Sequence, residues 1–141
     1  MVKHLKVEIY DITVVFLINP TKVEFETFYH DNVTSINDEE YKQMYKDVFN
    51  NDTCAGFTFV LGCGSIVFYV KEPYSEHYVA HEILHATNDI LGSRGITADF
   101  DNDEAQAYLC GYLTKKYYEY IYEMTKENEG KKSSKATKAV P

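Results

Sequence analysis

The sequence predicts an α+β domain in which a small mixed sheet packs against two long helices. Three observations predict it. The apolar run Val14-Val15-Phe16-Leu17-Ile18 stops at Asn19-Pro20, as a strand buried on both faces does. Two β-branched and aromatic runs, Gly56–Leu61 and Ser65–Lys71, are joined by Gly62-Cys63-Gly64, which reads as a hairpin or a pair of adjacent strands. After them, two segments repeat their apolar residues at the helical period. With 141 residues, 45% of them hydrophobic, the chain has material for one core and too much to be a disordered polymer.

The elements follow in order. Val7–Ile18 begins with alternation around Glu8 and Asp11 and becomes continuously apolar, so it reads as one N-terminal strand. Residues 21–36 have no clear period and are expected to form a short strand around Val23–Phe28 and a loop. Asn37 with Glu40 three residues later is a capping box, and Tyr41, Met44, Tyr45, Val48 and Phe49 then mark one face of a helix. The sheet is expected to have three or four strands. Beyond Pro73, Ser75 is the expected cap of a helix running to about Leu91, with Gly92 just past its end. A loop over 93–100 leads to a long helix starting at Asp101, with Leu109, Tyr112, Leu113, Tyr117, Tyr120, Ile121 and Met124 on its stripe. Residues 1–125 form the expected domain, and the Lys/Ser/Thr-rich 126–141 the expected disordered tail.

The net charge of −8 divides unevenly, with −11 on residues 1–125 and +3 on 126–141. An acidic body argues against nucleic acid as a main partner, because neutralising phosphates needs a basic face. Three cysteines without CxxC spacing predict neither a disulfide framework nor a zinc ribbon, and they are expected as small buried residues of a cytoplasmic protein. No stretch approaches ~18 consecutive apolar residues, and the first ten alternate, so neither a membrane span nor an export signal is expected.

The chemistry is concentrated in His81-Glu82-Ile83-Leu84-His85, an HExxH pattern on the helix already inferred from periodicity. With 5 His and 13 Glu in the chain, chance supplies roughly 0.02 such matches. Four residues turn a helix by about 400°, so both imidazoles leave one face a turn apart and can reach the same zinc ion, while Glu82 stands beside them without ligating. The bland reading, two ordinary histidines on an amphipathic helix, stands beside this one. A catalytic zinc site needs a third protein ligand. Glu104 is the candidate, but it equally completes a capping box from Asp101, and Asp99, Asp101 and Asp103 compete with it. His77 lies a turn before His81 and is expected to be solvated.

His81 to Asp89, followed by Asp103-Glu104-Ala105-Gln106-Ala107-Tyr108, resembles the gluzincin metallopeptidases, the thermolysin-like group of zincins, in which HExxH is followed by a glutamate ligand on a second helix. It is also similar to small phage-encoded zincin-like proteins carrying an Asp-Glu-Ala-x-Ala-Tyr-Leu segment. The resemblance covers residues 77–113. It implies a minimal zincin-like domain with Zn2+ held by His81, His85 and Glu104, Glu82 as general base, and Asp89 and Asp103 orienting the ligand histidines. Where the thermolysin-like pattern has an aspartate four residues after the glutamate, this chain has Tyr108, expected to pack, to hydrogen-bond a ligand histidine or to donate to the substrate oxyanion. The large C-terminal lobe of that group is not expected within these 141 residues. The expected function is therefore a zinc metallopeptidase whose peptide or protein substrate pairs with the sheet edge, provisionally Ser65–Lys71. The alternative is a non-catalytic, phage-type structural or interaction module with a structural or vestigial metal site.

Overall fold

The computed structural model describes residues 1–71, 73, 75–97, 99 and 103–137, with side chains through residue 129. Two antiparallel strands, β1 (Val2–Val7) and β2 (Ile12–Leu17), open the chain, joined by a one-turn 3-10 helix at Glu8–Tyr10 and by Asp11 in the left-handed region at φ 49°. The expected single strand over 7–18 is thus corrected: the alternation around Glu8 and Asp11 marks a reversal, and Val2–Val7 is a strand in its own right. Arg94, just past the end of a later helix, donates to the carbonyl of Tyr10 and ties this turn to the rest of the molecule.

A helix, α1 (Lys22–Asp31), follows where a short strand around Val23–Phe28 was expected. A capping box starts it: Thr21 Oγ1 accepts from the Glu24 amide at 3.2 Å, and Glu24 Oε2 accepts from the Thr21 amide at 2.8 Å. Only Phe25 and Phe28 are buried along it, too few to display a helical period in the sequence. The next helix, α2 (Asp38–Phe49), has the predicted cap, with Asn37 Oδ1 accepting from the amides of Glu39 and Glu40 at 3.0 Å each.

The hairpin β3 (Gly56–Val60) and β4 (Ile66–Val70) completes a four-stranded sheet of order β1-β2-β4-β3. β2 and β4 are parallel, which makes the sheet mixed as the sequence predicts. Apart from Thr13, both central strands are apolar throughout, because each has a helical layer on both sides. Val14, Phe16, Ile18, Ile66, Phe68 and Val70 face one core, and Val15, Leu17, Val67 and Tyr69 face the other. The expectation that Ser65–Lys71 is the sheet edge is therefore wrong: β4 is interior, with all five residues buried, and the edge on that side is β3, whose residues are only half-buried or exposed.

One core lies beneath α1 and α2, with Phe25, Phe28, Met44 and Val48 inserted. The other is covered by α3 (Glu76–Ser93) and α4 (Glu104–Thr137). Val79, Ile83, Ala86 and Ile90 form the buried stripe of α3 at helical spacing. The helix passes the expected stop at Gly92 and ends at Ser93; Gly95 follows at φ 70°, in the left-handed region that favours a residue without Cβ, with the Ile96 amide closing onto the Leu91 carbonyl. In α4, Leu109, Leu113 and Tyr117 are buried at i, i+4 and i+8, and the Tyr117 ring meets Phe16 and Phe68 at 6.2 and 5.4 Å. The expected start of this helix, Asp101, lies outside the described residues; its first described backbone bond runs from the Ala107 amide to the Asp103 carbonyl. Its backbone continues to Thr137, so 126–137, expected to be disordered, are helical: Glu, Lys and Ala there propagate a helix already nucleated on the core. Among the described residues no helix is long and apolar enough to cross a membrane.

Candidate functional site

α3 positions the central group. Its apolar stripe presses against β3 and β4, which rotates His81 and His85 out to solvent on the flank and leaves Glu82 between the flank and the core. The two imidazoles meet. Their Nε2 atoms are 3.1 Å apart, with ring centroids at 4.6 Å and planes inclined by 77°. Between two neutral rings this is a hydrogen bond, one donating and the other accepting. Two imidazole nitrogens at ~2.0–2.1 Å from a tetrahedral zinc ion stand about 3.3 Å apart, so the separation of this pair matches that of two ligands of one ion. The pair fits a metal.

Glu82 is a buried carboxylate at 8% exposure. It lies against the edge strand: Thr58 Oγ1 is 3.0 Å from Glu82 Oε2 and also 3.0 Å from the Glu82 carbonyl, and it donates to one or the other. Gly56 makes room for it. A Cβ on Gly56 would stand 3.1 Å from Glu82 Cγ and 2.7 Å from the Tyr69 carbonyl oxygen, the second a distance real Cβ atoms do not adopt. Sequence reasoning missed Gly56 and Thr58, which precede the motif by more than twenty residues. The available signal was parity, since residues 56 and 58 of a strand share the face that meets the helix.

The other expected site residues are not gathered in the same way. Glu104 is the exposed first residue of α4. That helix meets α3 through Cys110, whose Sγ donates to Thr87 Oγ1 at 3.3 Å, and through Gln106, whose Nε2 donates to Asn88 Oδ1 at 2.6 Å. Glu104 is two residues, or about 200°, round α4 from Gln106, and so leaves the side that meets α3. Among the described residues no three of His, Cys, Asp and Glu converge to hold a metal ion.

Asp103 is exposed and contributes its carbonyl to the start of α4. Asp89, also exposed, shares the histidine face one turn beyond His85. Tyr108 is 77% exposed and points elsewhere, into an apolar depression of about 480 Å³ formed with Ile9, Tyr10 and Tyr112 beside the β1–β2 turn. His77 is exposed, as expected, with its ring against Tyr78. Of the three free cysteines, Cys54 and Cys110 are half-buried, while Cys63 is exposed in the β3–β4 turn, not buried as expected. Burial alone would push the Cys63 thiol up, but hydrogen bonds with Ser65 and Ser35 outweigh it and hold the thiol below its ordinary range.

No family model, no curated protein and no solved structure matches the chain.

Proposed function

We propose that the protein is a zinc-dependent metallohydrolase acting on peptides. One observation carries this reading: two imidazole nitrogens on one helix face, 3.1 Å apart, next to a buried carboxylate held by a neighbouring strand. His81 and His85 would hold the ion, and Glu104 is the third ligand that the motif supplies, although the described residues do not gather it to the pair. A bound zinc ion would act as a Lewis acid on the scissile carbonyl and bring the pKa of its water towards ~7. Glu82 takes a proton from the attacking water and passes it to the leaving amine. Thr58 keeps that carboxylate from turning into solvent, and β3 offers an extended peptide its free edge by strand addition. The same reading puts the protein in the cytoplasm, that of the host if phage-encoded, where its three cysteines stay reduced.

The test begins with metal content after purification without chelator or affinity tag. About one zinc per chain, lost in His81→Ala and in His85→Ala, supports the centre; a chain devoid of metal defeats it. Glu82→Gln should retain the zinc and lose cleavage of an unfolded-protein substrate, and full activity in that variant removes the mechanism. One observation favours a second reading, a non-catalytic module: among the described residues no third His, Cys, Asp or Glu gathers with the histidine pair. X-ray absorption separates the two. Two imidazoles, one carboxylate and an open position support the enzyme, whereas four protein ligands support the module.

A further inference from the structure

The outer edge of β3 adjoins a groove that the proposed chemistry does not use. The Leu61 amide bonds the Ser65 carbonyl and the Lys71 amide bonds the Ala55 carbonyl, at 2.8 and 2.9 Å. In an antiparallel pair these hydrogen-bonded positions alternate, so residues 55, 57, 59 and 61 turn their backbone groups to β4 while Gly56, Thr58 and Val60 turn theirs outward. Among the described residues no strand pairs with that side. The side chains follow the opposite parity. Thr58 faces α3 and Glu82, while Phe57 and Phe59 face α2.

Between Phe57 and Phe59 and the flank of α2 runs a groove of about 530 Å³. Its floor is Phe57, Phe59 and Met44; its wall carries Glu39, Glu40 and Asp47, and no lysine or arginine lines it. Each carboxylate keeps accepting capacity. Glu40 uses one oxygen in the α2 capping box, Asp47 accepts from neutral amides of Gln43 and Asn51, and the Glu39–Lys42 pair is exposed on both partners and therefore weak.

We propose that this groove receives a lysine or arginine side chain of an extended peptide added to β3. The inference rests on the peptide-hydrolase reading and names its substrate class. A peptide in this register directs alternate side chains to the two faces of the sheet. Those on one side point towards Glu82 and the histidine pair, and those on the other enter the groove. There a long aliphatic stem covers Phe57 and Phe59 while its cationic head meets the acidic wall, which suits a lysine or arginine and repels an acidic residue.

Fluorescence anisotropy tests this on the full chain carrying Glu82→Gln, so that turnover does not intervene. The probes are labelled, capped heptapeptides of alternating valine and threonine with lysine, norleucine or glutamate at the centre. Lysine should bind about tenfold more tightly than norleucine, a margin within reach of several partly exposed charges, and glutamate more weakly than either. Glu39→Lys should remove the preference for lysine over norleucine. N-methylation of the lysine probe at the alternate amides that face β3 should abolish binding. Equal affinity for the three probes, an unchanged preference in Glu39→Lys, or undiminished binding of the N-methylated peptide would each overturn the proposal. None of these readings depends on metal or cleavage, so failure here and failure of the hydrolase reading are told apart.

Discussion

Thr58→Val probes the tie between the edge strand and the buried carboxylate with little change of shape. Valine replaces the hydroxyl with a methyl group and suits a strand, so neither a cavity nor a backbone conflict is introduced. What is lost is the donor 3.0 Å from Glu82 Oε2, on a residue only 8% exposed. A hydrogen bond to a charged group contributes ~1.5–3 kcal/mol, and a carboxylate this enclosed recovers little of that from water. At about 3–4 °C per kcal/mol for a chain of this size, Tm should fall by roughly 5–12 °C. Thr58→Ser keeps the hydroxyl and loses only a methyl group, so it should cost less than valine, about 1 kcal/mol. In a Glu82→Gln background the valine substitution should cost about 1 kcal/mol less than in the wild type, because a neutral acceptor makes the weaker bond. Urea midpoints of the four variants and the wild type measure all of this. If Thr58→Val is as stable as the wild type, or Thr58→Ser is the worse of the two, the hydroxyl does not hold Glu82 and the reasoning fails.

Gly56→Ala should destabilise the chain by more than the ~1 kcal/mol that strand residues ordinarily differ by, since its Cβ would meet the Tyr69 carbonyl at 2.7 Å; thermal melts check this. Phe16→Ala, at a fully buried position against Phe68 and Tyr117, should cost ~3–5 kcal/mol in urea unfolding. Burial pushes the Tyr69 hydroxyl up to about 12. The unfolded chain ionises near pH 10, so this contribution is fully present below pH 10 and is lost as pH rises towards 12; Tyr69→Phe should flatten the decline of the urea midpoint over that window. Cys63, exposed and with its thiol held below the ordinary range, should be alkylated first by iodoacetamide, ahead of the half-buried Cys54 and Cys110, as peptide mapping at short times reads out.

Much of this arrangement is legible in the sequence wherever a local signal and the tertiary demand coincide. The Asn37–Glu40 capping box, the apolar stripe of α3 and the hairpin about Gly62-Cys63-Gly64 are of that kind. Where the two diverge, the sequence misleads. The Thr21–Glu24 capping box carries no supporting period, because α1 buries too few residues to show one, and the β1–β2 reversal hides in a polar alternation that also describes a strand. The Ser65–Lys71 run is interior and not the expected edge, and its five consecutive apolar residues, all buried, are the mark of such a strand. In the candidate site, His81, Glu82 and His85 are read directly, since helical spacing alone brings the two imidazoles together. Glu104 is different. Its distance from His81 depends on how α4 crosses α3, which no local pattern records. Thr58 and Gly56 escape notice for the same reason, being neighbours of Glu82 only through the placement of α3 under β3.

The two apolar clusters on opposite faces of the sheet divide labour along a single backbone. Phe16 and Leu17 are adjacent in the chain, yet one packs in the layer that includes the histidine helix α3 and the other in the layer that includes α2, the wall of the acidic groove. Repacking Met44, Val48 or Leu61 can therefore adjust the durability and shape of the groove with little disturbance of α3, and repacking Ile83 or Leu113 can do the converse. On the proposed hydrolase reading, choice of peptide and cleavage chemistry are thereby separate traits.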